Sequence, residues 1–441
     1  MIIDITQQTW SRIKNPYFSA YAWMYLEIYE NFLQQVKETG MEIEDRSFVQ
    51  KTKSKIQQLK KMGARGENDD KSIYWQRISP ACKACRKGVG SATFFISLQC
   101  PRNCYYCFNP NQESYEYFLE NERDCVKELE QIHAAGGELS HIALSGGEPL
   151  VHKNQVISFF QQSRRYFPDA HTRLYTNGDL VDRSILQKLQ EAGLDEIRFS
   201  IRLEDSLDMR LETLKRINLA GEFIPSVMVE MPVLPGALEP MKTLLIKLDR
   251  IGISSINLLE FCFPFHNGQI FKEKGFQVKN PPYRVLYDYW YAGGLPIAQS
   301  ELVCLDLLGF AIEQQLNMGV HYCSLENKHT GQIYHQNASG NPPNRAYLSP
   351  KDYFLKTAKV FGQDISYVQT VFHKIGYKDY YFNKDYNYLE FHVDKVAALR
   401  RPGMEVGISS SIMEEREDGQ YVRELKVDLT YPEVFDIKKD V

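Results

Sequence analysis

The sequence predicts an α/β protein whose central part is a parallel β-sheet, with a helical region before it and a small mixed or β-rich region after it. Two observations lead to this prediction. From about residue 92, short apolar runs of strand length alternate with amphipathic stretches of helical length. The chain has 441 residues, of which 43% are hydrophobic and 24% are charged, as in ordinary globular proteins of about two to four domains. This composition excludes a wholly disordered, collagen-like or small disulfide-rich class.

The alternating elements of the central part justify the parallel sheet. Strands are predicted at 92–98, 141–145, 172–176, 196–201, 224–230 and 255–262. Helices are predicted between them at 116–135, 154–166, 180–192, 207–220 and 238–251. This alternation indicates a parallel sheet, either open or curled into a barrel, with fewer units than a closed eightfold barrel. Functional residues are then expected on loops that follow the strand C-terminal ends.

The flanking regions differ from the centre in pattern. Helical spacing of apolar residues predicts helices at 20–36 and 48–61, and a charged, solvated linker at 63–71. Near the other end, a Tyr-rich segment precedes two alternating runs separated by Asp418-Gly419, which predicts a β-hairpin. The predicted organisation is a helical N-terminal region (1–76), a barrel core with a preceding C-x2-C (77–267), an extension with a helix near 301–316 (268–340) and a C-terminal mixed or β-rich domain (341–441).

Charge and targeting signals narrow the class of protein. The 52 Lys and Arg residues against 56 Asp and Glu residues give a net charge of −4, which argues against a nucleic-acid-binding protein. The start of the chain lacks the basic and apolar stretches of a secretory signal, and no run of apolar residues is long enough to span a membrane. The nine cysteines are an odd number. In a chain predicted to be cytoplasmic, clustered cysteines indicate metal binding rather than disulfides.

Three cysteines follow the first predicted strand with the spacing C-x3-C-x2-C. They are Cys100, Cys104 and Cys107, in the segment Cys100-Pro101-Arg102-Asn103-Cys104-Tyr105-Tyr106-Cys107. Thiolates are the usual ligands of iron–sulfur clusters, and four normally complete a cubane. A local set of three leaves one iron open to an external ligand. A zinc knuckle whose fourth ligand lies elsewhere is the alternative.

The next predicted strand ends in Ser145-Gly146-Gly147-Glu148-Pro149. Paired glycines allow another group to approach the backbone closely, and a carboxylate beside them accepts hydrogen bonds from an ammonium group. Such a turn is common by itself. Its position one βα unit after the cysteine motif is what gives it weight.

Together, the two motifs resemble the radical S-adenosylmethionine (radical SAM) superfamily over residues 93–263, about two-fifths of the chain. The resemblance implies a partial (β/α)6 TIM barrel in which Cys100, Cys104 and Cys107 hold a 4Fe–4S cluster. It also implies a set of S-adenosylmethionine contacts: Gly146, Gly147 and Glu148 near the ammonium group, Tyr106 near the adenine, and Asn177, Ser200 and Arg202 near the ribose and carboxylate. For the last three residues, a plain polar lining of the barrel mouth is equally consistent with the sequence.

The resemblance also implies a reaction. An electron from the reduced cluster cleaves S-adenosylmethionine, and the resulting 5′-deoxyadenosyl radical abstracts hydrogen from a substrate. An electron donor such as a flavodoxin or ferredoxin is then required. The alternative of a different class is a non-catalytic metal-binding or regulatory protein, which would not need the Gly-Gly-Glu-Pro turn.

The remaining cysteines suggest a second metal site. Cys82 and Cys85 form a C-x2-C after a proline, and Cys304 and Cys323 lie beyond the barrel. Four thiolates from two segments are able to bind zinc, a single iron or a second cluster. Cys262 is a rival ligand, and free buried cysteines are the plain alternative. Cys125, in a predicted helix, is expected to be a packing residue.

The substrate is only coarsely indicated. Glu230 and Glu260 end the fifth and sixth predicted strands, and together with Tyr322 they are the candidate catalytic residues. The length and layout resemble radical SAM maturases of ribosomally made peptides. This resemblance favours a peptide or protein substrate, with a partner protein to deliver the leader. A small metabolite or a nucleotide is the alternative.

Overall fold

The computed structural model describes residues 1–282 and 294–441. A short part of the predicted extension, residues 283–293, therefore lies outside the described residues. The strands of the described residues are β1 (Arg65–Glu67), β2 (Ser72–Trp75), β3 (Ser91–Phe95), β4 (His141–Ser145), β5 (His171–Thr176), β6 (Glu196–Phe199), β7 (Ser226–Val233), β8 (Ser255–Glu260), β9 (Cys262–Phe263), β10 (Leu295–Pro296), β11 (Gly319–Cys323), β12 (Tyr347–Leu348), β13 (Leu355–Phe361), β14 (Tyr381–Asn383), β15 (Tyr388–Phe391), β16 (Val406–Arg416) and β17 (Gly419–Thr430).

The α-helices surround these strands along the chain. They are α1 (Gln7–Trp10), α2 (Pro16–Glu38), α3 (Val49–Lys61), α4 (Pro80–Ala84), α5 (Tyr115–Glu120), α6 (Cys125–Ala134), α7 (Lys153–Tyr166), α8 (Arg183–Glu191), α9 (Leu207–Ala220), α10 (Leu238–Ile251), α11 (Gly268–Glu273), α12 (Ser300–Glu313), α13 (Leu325–Ala338), α14 (Ile365–Lys374) and α15 (Ile437–Asp440). The described chain divides into two compact units. One holds residues 39–282 and 294–329, and the other joins Met1–Glu38 to Thr330–Val441. The limits of the four domains predicted from the sequence stay predictions.

The first unit is built on a nine-stranded sheet in the order β1-β2-β11-β8-β7-β6-β5-β4-β3. Strands β3 to β8 pair in parallel along the chain, and β11 continues the parallel set beside β8. Strands β2 and β1 are antiparallel additions at one edge. The parallel sheet with helical crossovers confirms the predicted partial barrel, and β11 is a seventh parallel strand that the sequence did not reveal.

The two faces of this sheet differ in polarity because side chains alternate along a strand. Leu174 and Ile197 belong to the apolar core between the sheet and the helices. The other face, which we call the polar face, carries hydrogen-bonded and charged side chains: His171, Arg173 and Tyr175 on β5, Glu196 and Arg198 on β6, Glu230 on β7, Asn257 on β8 and His321 on β11. An apolar interior is usual for a closed barrel. A polar face is typical of a surface that binds ligands.

Two local predictions were wrong. The predicted helix 116–135 is two helices, α5 and α6, because the chain between them bonds back to β3 through Arg123 N and Ile96 O at 2.7 Å. The second helix begins at a new cap, where the Asp124 side chain accepts a hydrogen bond from Lys127 N. The predicted linker 63–71 instead contains β1 and the turn that leads into β2.

The second unit contains the antiparallel sheet β14-β15-β13-β16-β17, with β12 paired to β13. The predicted hairpin is confirmed, since β16 and β17 pair from Val406↔Thr430 to Arg416↔Gly419. Helix α14 covers one apolar cluster of this sheet. Helix α2 packs on another, where Phe18 stacks on Phe361 with ring centroids 4.7 Å apart. Across the described residues, no helix is both long enough and apolar enough to cross a bilayer.

Candidate functional site

The cysteine motif occupies the loop that leaves the C-terminal end of β3. Cys107 N donates to Cys104 O at 3.0 Å, which makes a tight turn between the last two thiols. Burial raises the pKa of all three thiols, and the negative charge of Cys100 adds to the rise at Cys104 and Cys107. All three are free thiols and none is fully buried.

The Gly-Gly-Glu turn is bonded directly to this loop. Gly147 N donates to Ser97 O at 3.2 Å, and Glu148 N donates to Gln99 O at 2.7 Å. A Cβ atom on Gly147 would lie 1.9 Å from Gln99 O, so only glycine allows this approach. Gly146 adopts φ +113°, a region that disfavours side chains, and it packs on Phe95. The paired glycines thus allow the backbone at the start of the cysteine loop to approach closely. Their contact with a ligand stays a prediction.

The carboxylate of Glu148 is almost fully buried, with 2% of its surface exposed. One oxygen accepts hydrogen bonds from Leu150 N at 3.1 Å and Thr176 Oγ1 at 2.8 Å, and the other accepts from Asn177 N at 2.7 Å. A carboxylate has about four acceptor positions, so about one is left for a ligand. Burial raises the pKa of this group, although the three donors oppose the rise. Glu148 therefore fixes the end of β5 beside the cysteine loop.

Arg102 lies inside the cysteine motif and was not predicted as a site residue. Its guanidinium donates to both oxygens of Asp179 at 2.6 Å and also pairs with Asp205. These carboxylates follow β5 and β6, so a single side chain ties the cysteine loop to two neighbouring loops. Its position between two cysteines was the only signal of this role in the sequence.

The other predicted S-adenosylmethionine contacts surround the same loop. Asn177 Nδ2 lies 3.9 Å from Cys100 Sγ. Arg202 Nε lies 3.5 Å from Asp205 Oδ1, and the charge of Arg202 lowers the pKa of Cys104 against the effect of burial. Ser200 is exposed, and its N–H donates to Thr176 O at 2.9 Å. Their ligand roles stay predictions.

Tyr106 packs edge-on against Tyr105 and Phe261, with centroids 4.9 and 5.6 Å away. Burial raises the pKa of its hydroxyl. The loop backbone on either side is held by His266 Nε2 at 2.8 Å from Cys107 O and by Asn267 Nδ2 at 2.9 Å from Tyr105 O. The aromatic contacts and these hydrogen bonds restrain the part of the loop that carries the last two cysteines.

The donor set of the cysteine loop consists of three thiols. Within the ranges that the structure describes, no group of three His, Cys, Asp or Glu side chains is placed so that it could hold a metal ion. Each thiolate of a 4Fe–4S cluster binds a different iron, so its sulfur atoms need not converge on one point. Three thiols on one loop, restrained by Arg102 and the Gly-Gly-Glu turn, fit such a cluster.

The candidate catalytic residues fall into two separate networks. Glu230 accepts from Arg198 Nη1 at 2.7 Å and Asn257 Nδ2 at 2.6 Å on the polar face. Burial would raise its pKa, but the charge of Arg198 gives a net lowering. Glu230 is therefore an ion-paired carboxylate in this structure.

Glu260 and Tyr322 belong to the second network. Lys279 bridges Glu260 at 2.9 Å and Glu301 at 2.6 Å, and Tyr322 donates to Glu301 at 2.9 Å. Tyr322 is 1% exposed. These contacts make Tyr322 a packed, hydrogen-bonded residue. Catalytic roles for Glu230, Glu260 and Tyr322 stay predictions.

The remaining cysteines lie outside the cysteine loop, and all of them are free thiols. The negative charges of Cys85 and Cys82 raise the pKa of Cys323, and the Cys304 sulfur lies 3.9 Å from Leu259 O. Cys262 interacts with Cys323. Cys125 is buried, and its thiol donates to Phe95 O at 3.2 Å. The second metal site at Cys82, Cys85, Cys304 and Cys323, with Cys262 as a rival ligand, stays a prediction.

Comparison with known proteins identifies the domain around the motifs. Residues 94–239 match the sequence profile described as the Radical SAM superfamily. This chain carries a radical SAM domain. The predicted superfamily is thereby confirmed. Members of the superfamily use a 4Fe–4S cluster and S-adenosylmethionine, the two cofactors that the sequence predicts.

Three curated relatives illustrate the similarity. A Methanocaldococcus jannaschii protein named as a glycyl-radical enzyme activating enzyme is 28% identical over 217 residues, which cover 47% of this chain and 56% of that protein. A PqqA peptide cyclase of Granulibacter bethesdensis is 32% identical over 135 residues, covering 29% of this chain and 31% of the cyclase. A GTP 3′,8-cyclase of Desulforamulus reducens is 28% identical over 169 residues, covering 38% and 48%. This chain thus spans about half or less of the relatives that it matches.

Proposed function

We propose that this chain is a radical SAM enzyme that modifies a peptide or protein. The observation that carries the proposal is the direct bonding of the cysteine loop to the Gly-Gly-Glu turn, through Glu148 N and Gln99 O. This contact joins the thiol ligands to the predicted cosubstrate pocket in one rigid unit. When bound, the cluster supplies the electron that starts radical chemistry on S-adenosylmethionine.

The residues of this chain have separate roles in the proposal. Cys100, Cys104 and Cys107 hold the cluster, and Arg102 positions their loop. Glu148 fixes the end of β5 through Thr176 and Asn177, and its remaining acceptor position receives the ammonium group of S-adenosylmethionine. Tyr106, Asn177, Ser200 and Arg202 bind the rest of the cosubstrate.

A peptide or protein substrate is favoured by the names of two relatives, an activating enzyme for another enzyme and a peptide cyclase. Both matches lie in the radical SAM part of the chain. The second unit, with its antiparallel sheet, is additional to the radical SAM part of the chain. Such an addition suits a large substrate. A leader-delivering partner and a flavodoxin or ferredoxin as electron donor belong to the same proposal.

A small metabolite or a nucleotide is the second candidate substrate. The GTP cyclase relative favours it, and so does the polar face, where Arg198, Glu230 and Asn257 form a charged and hydrogen-bonded surface. Such a surface suits a polar small molecule.

One experiment separates the two substrates. The reconstituted, dithionite-reduced protein is incubated with S-adenosylmethionine and with extract of the source organism, and 5′-deoxyadenosine is measured. Stimulation that protease treatment of the extract abolishes supports a peptide or protein. Stimulation that survives protease and passes a small-molecule filter favours the metabolite. Absence of 5′-deoxyadenosine under every condition contradicts the enzyme assignment.

A further inference from the structure

The backbone that leads into the cysteine motif is hydrogen-bonded on both of its sides. On one side, Arg123 N donates to Ile96 O at 2.7 Å, and Leu98 N donates to Phe118 O at 2.9 Å. On the other side, this backbone accepts the two bonds from the Gly-Gly-Glu turn. Residues 96–99 are therefore the fixed base from which the cysteine loop begins.

The imidazole ring of His152 connects the two sides. This residue ends a short 3-10 helix, Pro149–His152, which follows the Gly-Gly-Glu turn. Its Nε2 lies 2.7 Å from Ser97 Oγ, and its Nδ1 lies 3.1 Å from Glu122 Oε1. Gln99 N in turn donates to Ser97 Oγ at 3.3 Å. We call Glu122, His152 and Ser97 the relay, because they link in sequence to the residue before the first motif cysteine.

The hydrogen bonds of the relay have one consistent direction. An ionised carboxylate only accepts hydrogen bonds, so His152 Nδ1 carries the proton that is donated to Glu122. In a neutral imidazole Nε2 is then an acceptor, and Ser97 donates its hydroxyl proton to it. The lone pairs of the Ser97 oxygen are left for the N–H of Gln99. Each side chain of the relay is thus bonded on two sides, which fixes its rotamer.

The relay runs from the surface to the interior of the first unit. The side chain of Glu122 is 47% exposed and that of His152 is 9% exposed, whereas Ser97 is buried. The other oxygen of Glu122 accepts a hydrogen bond from Gln155 Nε2. A buried polar network whose members are all bonded gives a rigid and unique geometry. Apolar side chains would fill the same space without directing the N–H of Gln99.

We propose that Glu122, His152 and Ser97 are positioning residues for the cysteine loop. They orient the backbone between Gln99 and Cys100, and with it the sulfur of Cys100 relative to the Gly-Gly-Glu turn. The proposal rests on the radical SAM site of the proposed function. Residues that orient the ligands of a metal site typically cost about 10- to 100-fold in affinity or activity when they are lost.

The test interrupts the relay at each of its members. Ser97→Ala, His152→Phe and Glu122→Leu are reconstituted anaerobically, and S-adenosylmethionine binding is measured by calorimetric titration. We expect each variant to keep its iron and to bind S-adenosylmethionine about tenfold more weakly. The change that S-adenosylmethionine causes in the EPR signal of the reduced cluster should also be smaller. Glu122→Gln, whose amide oxygen still accepts from His152 Nδ1, should recover most of the affinity.

Two further measurements separate positioning from a general loss of stability. Since either change alone interrupts the relay, Ser97→Ala/His152→Phe should bind S-adenosylmethionine no more weakly than His152→Phe. In the apoprotein, amide hydrogen exchange over residues 96–99 should be faster in His152→Phe than in the native chain. Glu122 is half-exposed, so Glu122→Leu guards against misfolding, and its melting temperature should stay close to the native value.

The matched controls change the same residue types away from the cysteine loop. Ser163→Ala removes a buried hydroxyl that donates to Phe159 O, and His133→Phe replaces a ring that stacks on Tyr166. Both should bind S-adenosylmethionine normally. Native affinity in all three relay variants, additive losses in the double variant, or equal losses in the controls would overturn the proposal. Failure of the native chain itself to bind S-adenosylmethionine would instead contradict the proposed function.

Discussion

The backbone N–H of Glu148 donates a 2.7 Å hydrogen bond to the carbonyl oxygen of Gln99, the residue before the first motif cysteine. This bond and its neighbour from Gly147 to Ser97 join two motifs whose bonded residues lie 49 and 50 positions apart in the sequence. The thiols and the turn therefore share one rigid backbone platform at the C-terminal end of the sheet. Each of the following predictions tests a part of that arrangement or of the sheet beneath it.

Gly147→Ala is expected to displace the cysteine loop, because the added Cβ would lie 1.9 Å from Gln99 O. Iron content after anaerobic reconstitution should fall severalfold. Gly309→Ala is the matched control, since its Cβ would meet Leu59 at 3.4 Å in ordinary contact. Equal iron content in the two variants would show that the close approach is not needed for cluster binding.

Arg102→Met leaves Asp179 and Asp205 without their shared cation, and we expect the free energy of unfolding to fall by about 3 kcal/mol. Chemical denaturation of the apoprotein measures this directly. Arg183→Met, which removes an exposed ion pair with Glu222, should change stability by less than about 0.5 kcal/mol. Similar losses in the two variants would contradict the anchoring role of Arg102.

Glu196 makes the stability of the first unit depend on pH. Burial raises the pKa of its carboxyl, but the His171 hydrogen bond and the Arg198 charge bring it to about 2, with Ser79 as a further donor. The negative charge of Glu196 also acts on His141, where it raises the pKa against the effect of burial. The pKa in the unfolded chain is about 4.3, so the stabilisation is present above that pH and is lost as pH falls towards 2.

The Glu196→Gln variant should therefore be less stable than the native chain by about 3 kcal/mol at pH 7, with a difference that shrinks below pH 4. Urea unfolding at a series of pH values measures this. Glu222→Gln, at an exposed carboxylate, should follow the native profile. A constant difference between Glu196→Gln and the native chain at all pH values would contradict the linkage.

Glu148→Gln is expected to weaken S-adenosylmethionine binding by about tenfold or more, because it removes the negative charge proposed to receive the ammonium group. Calorimetric titration of the reconstituted protein measures the affinity. Glu128→Gln alters a carboxylate that pairs with Arg123 away from the cysteine loop and should bind normally. Unchanged affinity in Glu148→Gln would contradict the ammonium-binding role and leave Glu148 only the structural role of its hydrogen bonds with Thr176 and Asn177.

The sequence predicted the elements whose apolar pattern is regular. Strand β4 and helices α9 and α10 have the predicted bounds, because β4 is a short run of buried apolar residues and the two helices bury residues at helical spacing. Strand β11 was missed because it is short and alternates His321 and Cys323 with apolar residues in a region without βα periodicity. Its membership of the sheet depends on pairing with β2 and β8, which no local pattern reveals.

The candidate site was predicted from motif spacing, and the parts that spacing does not encode were missed. Arg102 acts through Asp179 and Asp205, which lie on other loops.

Cleavage of S-adenosylmethionine tests the central claim most directly. The reconstituted native chain, Cys104→Ala and Cys125→Ala are each reduced with dithionite and incubated with S-adenosylmethionine, and 5′-deoxyadenosine is quantified by chromatography. The account predicts product from the native chain and from Cys125→Ala, whose thiol donates to Phe95 O, and none from Cys104→Ala. Equal product from Cys104→Ala and the native chain would contradict it.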